Sequence, residues 1–532
     1  MFKSPLPDVE IPEATLYDYL FGGLDEEDLE RVALVDGTSG TETSYRELVG
    51  RIDATAGWLA EQGAGAGTVV GLFCPNVPAF AAVFHGILRA GAAVTTINAL
   101  YTPEEVAGQL GDAGATWLVT VSPFRDRAEA AAQQVGIPPE RLVVLDGGDA
   151  ATAAGHPSFA DILGAELPAP ELTIDPHAAA VIPYSSGTGG PPKGVLLSQY
   201  NLVANVAQSR PLVSVTRDDV LLAVLPFFHI YGMTVLLNLA LGERARLVTM
   251  PKFDLSEFLR ITQDHRCTYL FIAPPIAVAL AKHPLIEKYD LSSVRAALSG
   301  AAPLDGELGH AVAERLGCVM LQGYGMTELS PVSHLIPFDA ADRIPLDTVG
   351  FAVPNTECKL LDVATEEEIE APAEGQSERG QLLVRGPQVM LGYLNRPDAT
   401  EATIDPDGFL RTGDIATVTA EGVVRIVDRL KELIKYKGYQ IAPAELEAVL
   451  LAHPQIADAA VIGVRTDDGE EVPKAFVVTQ AGSELADEDV MAFVAEHVAP
   501  FKRVRFVEFV EAIPKSASGK ILRRELRARP AS

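Results

Sequence analysis

The sequence predicts an α/β fold: a large N-terminal domain of parallel-sheet subdomains with a small β-rich layer, followed by a smaller α+β C-terminal domain. The first half of the chain alternates apolar strand patterns with amphipathic helix patterns, which is typical of parallel sheets covered by helices. After about residue 350 the pattern changes to short strands separated by turns. A chain of 532 residues is too long for one hydrophobic core, so several domains are expected.

The alternating half begins with a helix pattern at residues 45–62, where Leu48, Ile52 and Leu59 fall on one face. Strand and helix patterns then follow in turn. The expected strands are 69–74, 92–97, 116–121, 178–182, 220–225, 245–250, 269–273 and 295–298, and the expected helices include 79–89 and one that starts at Pro103. Because ligands of such folds bind at the carboxyl ends of parallel strands, functional residues are expected there.

The later part of the chain predicts a different arrangement of secondary structure. Short strands at 357–362, 380–385 and 422–427 indicate the β-rich layer. A tail with two amphipathic helices, 444–452 and 488–497, follows them. Residues 428–431 form a mostly charged tetrapeptide directly after a strand pattern. We therefore place the domain boundary there, with an N-terminal domain of residues 1–428 and a C-terminal domain of residues 429–532.

Composition narrows the classes of function. The formal net charge of −30 argues against nucleic acids and anionic membranes as partners. The four cysteines are far apart without metal-ligand spacing, so they are interpreted as buried thiols of a reducing compartment. No stretch of about 18 residues is apolar enough to span a membrane, and the N-terminus lacks the apolar core of a signal peptide. We expect a cytoplasmic protein, monomeric or weakly dimeric, that acts on small molecules.

The most informative segment is residues 184–194, which follows an apolar strand pattern and precedes Ser198, an expected helix N-cap. Glycines let the backbone turn tightly and bring its N–H groups close to a ligand, while hydroxyls and a lysine add donors and charge; this combination suits phosphates. The segment is not a Walker A loop, because Pro192 and Gly194 flank the lysine. A surface turn would explain only the glycines. The residues expected to hold phosphates are Ser185, Ser186, Gly187, Thr188, Gly189 and Lys193.

Two further segments suit a nucleotide. Residues 297–303 are mostly small, and small side chains at a strand end let a flat ring such as adenine lie against the backbone. A simple strand-to-helix turn explains this segment equally well. Residues 322–328 combine glycines, an aromatic plane, a hydroxyl and a carboxylate, Glu328, that is suited to Mg²⁺ on a polyphosphate.

The region around the expected boundary is rich in charge. Asp414 is suited to hydrogen-bonding ribose hydroxyls, as acidic residues do in nucleotide sites. Four cations fall within residues 428–437 of an otherwise acidic chain, which indicates a polyanionic ligand. Near the C-terminus, Lys520 ends the pattern Pro-Lys-x-x-x-Gly-Lys in a glycine-containing loop. A basic surface tail is the alternative interpretation of that loop.

Taken together and in this order, these motifs resemble the adenylate-forming superfamily of acyl-CoA synthetases, luciferases and carrier-protein adenylation domains. The resemblance covers essentially the whole chain and is strongest to 4-coumarate–CoA ligases, particularly bacterial ones, through residues 225–232, 323–328 and 431–440. It implies two half-reactions. A carboxylate attacks the α-phosphorus of Mg²⁺-bound ATP to give an acyl-adenylate and pyrophosphate, and the thiol of coenzyme A then displaces AMP.

The resemblance also assigns residues to the nucleotide. Lys520 bridges the substrate carboxylate and the α-phosphate during adenylation. The segment 185–193 holds the β- and γ-phosphates, with Mg²⁺ near Glu328. The remaining positions are Ala301, Gln322, Gly323 and Tyr324 for the adenine, Thr327 for the α-phosphate, and Asp414 and Arg429 for the ribose.

A second set of residues matches positions for the acid. Tyr231, Val235 and Leu335 match the acyl pocket. His229 matches a residue between that pocket and the pantetheine tunnel, and a packed core histidine is the alternative. The chain departs from plant coumarate ligases at Val235 and Leu335, where those enzymes tend to carry serine and methionine. The pocket is therefore expected to be more apolar, which favours cinnamate or a medium-chain acid as much as hydroxylated coumarate.

The residues that the resemblance implies for the second half-reaction lie elsewhere in the chain, and most of them are lysines. Lys435 and Gln440 match positions near the adenylate, and the matches on the CoA path are Lys252, Lys437 and Gly438. These residues and Lys520 cannot all serve one geometry. The resemblance therefore implies a mobile C-terminal domain that rotates between half-reactions, with Lys431 at the hinge.

The chain differs from the family pattern in the phosphate segment, and several other classes of function stay open. Gly189 stands where most relatives have a second threonine, so somewhat weaker ATP binding is expected. A fatty acyl-CoA synthetase is the near alternative to a coumarate ligase. A luciferase-like monooxygenase, a carrier-protein adenylation domain and a nucleotide-binding regulator without catalysis are the other classes considered.

Overall fold

The computed structural model describes residues 1–147, 155–185, 192–436, 439–466, 470–480, 482–483, 485–516 and 519–529, without the side chains of residues 439 and 440. Its strands form two large sheets, a six-stranded antiparallel sheet, and two small sheets towards the C-terminus. Within these described ranges, no helix has the length and apolarity that crossing a membrane requires.

The first large sheet has a parallel centre and antiparallel strands at one end. Its parallel strands, in spatial order, are Ala179–Val181, Ala93–Thr96, Val69–Phe73, Trp117–Thr120 and Leu142–Val144. Strand Lys193–Ser198 pairs antiparallel with Ala179–Val181, and it also pairs with Tyr184–Ser185 and Gly392–Tyr393. This edge carries both ends of the expected phosphate segment.

The second large sheet has nine strands, six of them in one parallel run. That run, in spatial order, is Val319–Gly325, Ala296–Ser299, Tyr269–Ile272, Val220–Ala223, Arg246–Thr249 and Val32–Asp36. Antiparallel strands complete the two edges, namely Glu42–Ser44 at one, and Val332–Leu335 with Phe351–Ala352 at the other.

Helices connect and cover the strands of both large sheets, and one buried apolar cluster includes residues of both. Helix Pro78–Arg89 contacts strands of each sheet, and its Phe80 ring lies 5.4 Å from the ring of Phe227. The helices of this part are Leu16–Phe21, Glu26–Glu30, Tyr45–Glu61, Pro78–Arg89, Pro103–Ala113, Arg125–Val135, Phe159–Gly164, Gln199–Val213, Leu239–Gly242, Leu255–Asp264, Pro274–Lys282, Gly306–Leu316 and Pro397–Thr403, with a π-helix at Tyr231–Asn238.

The remaining strands form the β-rich layer and the C-terminal part. The antiparallel sheet consists of Phe2–Lys3, Glu357–Leu361, Glu368–Ile369, Gly380–Arg385, Leu410–Val418 and Val424–Arg429. After it come the hairpin Ile434–Tyr436 with Tyr439–Ile441, the strands Ile456–Arg465, Glu471–Thr479 and Phe506–Phe509, and the helices Pro443–Ala452, Asp487–His497 and Arg523–Arg527. Strand Val424–Arg429 runs one residue past the expected boundary, and the division at residues 428 and 429 stays a prediction.

The expected α/β architecture is confirmed, and the expected strands are present with ends that differ by one or two residues. Ser198 is the N-cap of its helix, with its hydroxyl accepting from Asn201 N–H. That helix runs to Val213, and most of its residues are buried. Both large sheets direct the carboxyl ends of parallel strands towards one cavity.

Candidate active site

A cavity of about 470 Å³ lies where the parallel strands end. Its walls come from both large sheets, from the antiparallel sheet and from the loop near the C-terminus. The expected site residues that line it are Ser185, Lys193, His229, Tyr231, Val235, Ala301, Gly323, Tyr324, Thr327, Glu328, Leu335, Asp414, Arg429, Lys431 and Lys520. Residues more than 300 positions apart in the chain are therefore brought to a single site.

One wall carries a buried carboxylate, Asp414. The hydroxyl of Tyr324 donates to its Oδ2 at 2.6 Å, and Nε of Arg429 lies 3.6 Å from its Oδ1. Asp414 and Arg429 are opposite each other on neighbouring antiparallel strands. Burial raises the pKa of Asp414, although Arg429, Tyr324 and Lys520 oppose the shift. This wall offers acceptor oxygens to hydroxyl groups of a ligand.

Lys520 enters the cavity on a tight loop. Gly519 N–H donates to Ser516 O, and Ser516 N–H donates to Lys520 O, both at 2.8 Å. Gly519 has a φ of +84°, and a Cβ there would lie 3.2–3.3 Å from atoms of Pro275 and Ala273. Glycine therefore allows the loop to pack closely against the N-terminal part of the chain. Burial and, second, Arg429 lower the pKa of Lys520 to about 8, against the opposing carboxylates.

A buried ion pair fixes the start of the helix Arg523–Arg527, which follows the loop of Lys520. Arg523 donates from Nη2 to both carboxylate oxygens of Glu447, at 2.7 and 2.8 Å. Glu447 Oε1 also accepts from the Val461 N–H at 2.7 Å. Since Arg523 lies three residues after Lys520, this pair fixes the end of the lysine loop.

The opposite end of the cavity is the expected phosphate end. Lys193 lies opposite Ser185 in an antiparallel pair, and its Nζ is 4.7 Å from the centre of the Tyr393 ring. The Tyr393 hydroxyl donates to Oε1 of Glu328 at 2.9 Å. The expected phosphate ligands Ser186, Gly187, Thr188 and Gly189 lie outside the described residues.

An apolar pocket opens beside these polar groups. The Tyr231 hydroxyl donates to Leu298 O at 3.2 Å, and Val235 follows one turn later on the π-helix. A Cβ on Gly300 would lie 2.9 Å from Cε1 of Tyr231. A Cβ on Gly323 would lie 2.7 Å from Cδ1 of Leu335. Both positions need glycine for these side chains to keep their places in the pocket.

His229 lies between the polar and apolar parts. Its Nδ1 accepts from the Tyr231 N–H at 3.3 Å, which assigns the proton of the neutral ring to Nε2. Burial and the nearby Lys520 lower the pKa of His229 to about 4. The ring is therefore neutral at pH 7, and it lines the cavity rather than packing only inside the core.

Some expected residues do not line this cavity. The amide of Gln322 accepts from Leu304 N–H at 2.7 Å and donates to Leu346 O at 2.6 Å, so its side chain is occupied by the backbone. Lys252 is exposed, and so is Lys435, whose N–H donates to Glu471 Oε2 at 2.8 Å. Lys437, Gly438 and the side chain of Gln440 lie outside the described residues. Roles for all of these stay predictions.

Sequence reasoning missed one residue of the polar end, Tyr393. It contacts two expected site residues, yet it lies in a segment that carries no charged or glycine-rich motif. Its partner Glu328 is 65 residues away in the chain. The only available signal was the Gly-Tyr pair at 392–393, which by itself indicates no chemistry.

The fold and this site define an AMP-binding enzyme, and the chain belongs to that family of the adenylate-forming superfamily. The family model "AMP-binding enzyme" matches residues 25–394, and "AMP-binding enzyme C-terminal domain" matches residues 445–520. The chain is 42% identical over 541 residues to 4-coumarate–CoA ligase 5 of Oryza sativa subsp. japonica. The alignment covers 100% of this chain and 98% of the relative.

Solved structures show the same architecture. ATP-bound MatB from Rhodopseudomonas palustris matches with a TM-score of 0.86 and 30% identity, over 97% of this chain and 98% of that one. The anthranilate CoA ligase AuaEII in complex with anthranoyl-AMP matches with a TM-score of 0.87 and 26% identity, over 98% of each chain. The family and fold expected from the sequence are thus confirmed.

Proposed function

We propose that the protein is an ATP-dependent acid–CoA ligase that activates a hydroxycinnamate-type acid as the acyl-adenylate and passes the acyl group to CoA. The observation that carries the proposal is the position of Lys520. It lies in one cavity with a nucleotide wall at Asp414 and an apolar pocket at Tyr231. Relatives named 4-coumarate–CoA ligases match over the full length of the chain and support this choice of acid.

In the first half-reaction a carboxylate oxygen of the acid forms a bond to the α-phosphorus of ATP, and the bond to pyrophosphate breaks. Negative charge builds up around that phosphorus, so fixed donors lower the barrier. Lys520, with a pKa of about 8, is cationic at neutral pH and supplies this charge. Asp414 accepts from the ribose hydroxyls, and Tyr324 with Ala301 borders the adenine. Lys193 and Thr327 contact the phosphates.

The residues of the polar end fit Mg²⁺. Glu328 is buried in the wall of the cavity, and the Tyr393 hydroxyl donates to its Oε1. A carboxylate oxygen is a ligand that Mg²⁺ prefers in proteins. Glu328 would hold the ion, which supplies positive charge to the polyphosphate when bound.

In the second half-reaction the thiol sulfur of CoA forms a bond to the acyl carbon, and AMP leaves with the oxygen that came from the acid. Neutral His229 lies between the acid pocket and the polar end and borders the path of the thiol. Lys252, Lys435, Lys437, Gly438 and Gln440 are proposed for this step. They require rotation of residues 429–532 about Lys431, because Lys520 occupies the cavity in the present arrangement.

A panel of acids tests the choice of substrate. Pyrophosphate release and thioester formation are measured with cinnamate, 4-coumarate, caffeate, benzoate, octanoate and palmitate, each with and without CoA. Selective turnover of the cinnamates with consumption of CoA supports the proposal. Preference for alkyl acids favours a fatty acyl-CoA synthetase and assigns the difference to Val235 and Leu335. Light emission with a luciferin favours a monooxygenase.

We also propose a cytoplasmic monomer or weak homodimer. The net charge of −30 disfavours association of copies by electrostatic repulsion. All four cysteines are free thiols, which suits a reducing compartment. Sedimentation velocity over a range of protein concentrations tests the state of association. A stable dimer or larger assembly at low concentration contradicts it.

A further inference from the structure

We propose that Tyr393 is a positioning residue that fixes Glu328 and Lys193 relative to each other, and so sets where a metal-bound polyphosphate sits. The proposal rests on the proposed function, because it concerns how that site binds ATP. The hydroxyl of Tyr393 donates to Oε1 of Glu328 at 2.9 Å. The face of the same ring lies 4.7 Å from the Lys193 ammonium. One side chain thus contacts the carboxylate proposed to hold Mg²⁺ and a lysine proposed to hold the phosphates.

The backbone of Tyr393 is held firmly. Its strand pairs antiparallel with the strand of Lys193, with Tyr393 opposite Val195. Its N–H donates to Oγ1 of Thr400 at 2.9 Å, and the Leu394 N–H donates to Gly194 O at 2.8 Å. The ring is therefore placed by the same sheet edge that places Lys193.

The same segment also contacts the start of the phosphate segment. Nη2 of Arg396 lies 3.5 Å from Oδ1 of Asp112, and the hydroxyl of Tyr184 donates to Oδ2 of Asp112 at 2.8 Å. Residues 393–396 thus contact Lys193 directly and Tyr184 through Asp112, on the two sides of residues 186–191.

The hydrogen bond to Glu328 has a fixed direction. The Tyr393 hydroxyl carries the proton of this bond, and Oε1 of Glu328 accepts it. Oε1 of Glu328 is thereby occupied as an acceptor, and Oε2 is the oxygen left for a cation. Aromatic faces attract ammonium groups, so the ring also limits where Lys193 can move.

The Tyr393→Phe variant removes only the hydroxyl and keeps the ring under Lys193. Affinity for ATP is measured by calorimetry with excess Mg²⁺ and again in EDTA, for wild type, Y393F, E328Q and the double variant. Y289F is the matched tyrosine control, since Tyr289 lies outside the cavity lining. Melting temperatures without ligand verify folding.

We expect Y393F to weaken binding of MgATP by about tenfold, the scale of one hydrogen bond to a charged group, and to leave binding of metal-free ATP unchanged. The double variant should bind MgATP no more weakly than E328Q alone, because both changes break one interaction. The Y393L variant, which also removes the ring, should weaken ATP binding in EDTA as well.

Three results overturn the positioning role. The first is an affinity of Y393F for MgATP equal to that of the wild type. The second is an equal loss of ATP affinity with Mg²⁺ and in EDTA. The third is a loss of affinity in the double variant that equals the sum of the two single losses. The measurement needs no turnover of acid or CoA, so it stays readable if the substrate proposal fails. A wild-type protein that binds no ATP in either buffer overturns both proposals.

Discussion

The hydroxyl of Tyr324 donates a 2.6 Å hydrogen bond to Oδ2 of Asp414 and so joins two sheets at the cavity. Tyr324 is the next-to-last residue of a strand of the nine-stranded sheet, and Asp414 lies on a strand of the antiparallel sheet. The bond fixes the orientation of a buried carboxylate whose other oxygen faces Arg429 at 3.6 Å. The wall proposed for the nucleotide is therefore held in place by contacts within the protein itself.

Replacing Asp414 with asparagine should raise the KM for ATP by about 10- to 100-fold, because a hydrogen bond to a charged acceptor is lost. The KM for the acid should change little, since the acyl pocket lies elsewhere. Tyr324→Phe, which keeps the carboxylate but frees its orientation, should give a smaller effect. Steady-state kinetics with each substrate varied in turn measure both. An equal rise in the two KM values for D414N contradicts this assignment.

Replacing Lys520 with alanine should lower the rate of adenylation by roughly 10²–10³-fold, because a fixed charge at the developing anion is removed. Formation of the thioester from preformed acyl-adenylate should stay largely intact. Pyrophosphate exchange measures the first step, and CoA consumption with supplied adenylate measures the second. Equal loss of both half-reactions would sink this division of labour.

The pKa of Lys520, lowered to about 8, predicts a pH dependence. A lysine is cationic below its pKa and neutral above it, so adenylation should fall as the pH rises through about 8. Lys520→Arg stays cationic throughout this range, so its residual activity should not show the same fall. A pH profile of single-turnover adenylation decides the matter. An identical alkaline fall in K520R assigns the titration to another group.

Gly519→Ala should weaken adenylation by about tenfold or more. Alanine at a φ of +84° is strained by roughly 1–3 kcal/mol, and its Cβ presses against Pro275 and Ala273. The lysine loop then docks less well against the N-terminal part. Single-turnover kinetics compare it with Gly482→Ala, another positive-φ glycine that meets nothing within 4 Å. Equal effects of the two variants would show that backbone strain alone is responsible.

Gly300→Ala should raise the KM for the acid and leave the KM for ATP nearly unchanged. The added Cβ would lie 2.9 Å from Cε1 of Tyr231, so the ring must move into the pocket. Larger acids should lose more than small ones such as benzoate. Kinetics over a series of acids of increasing size measure the trend. A uniform loss for all acids would contradict a steric cause.

Much of the fold followed from local patterns. The spacing of Leu48, Ile52 and Leu59 predicted the helix that the structure shows at Tyr45–Glu61, because an amphipathic face is a local property. Ser198 marked the start of its helix for the same reason. The π-helix at Tyr231–Asn238 was not predicted, since its i→i+5 hydrogen bonds leave no distinct signal in a short apolar stretch.

The site was predictable only in part. Residues within motifs, such as Tyr324, Asp414 and Lys520, are found in one cavity as expected. Tyr393 escaped notice because its partners Glu328 and Lys193 are distant in the chain, and long-range contacts are set by sheet pairing. How the loop of Lys520 is held also could not be predicted, because the close approach of Gly519 to Pro275 is a contact between residues distant in the chain.

Activation through an acyl-adenylate fixes the fate of the carboxylate oxygen of the acid, and isotope labelling follows that oxygen. 4-Coumarate labelled with ¹⁸O in its carboxylate is incubated with ATP, Mg²⁺, CoA and the protein. The masses of AMP and pyrophosphate are then measured by mass spectrometry. Attack on the α-phosphorus predicts AMP that carries one ¹⁸O and unlabelled pyrophosphate. Label in inorganic phosphate with formation of ADP, or unlabelled AMP beside the thioester, would contradict it.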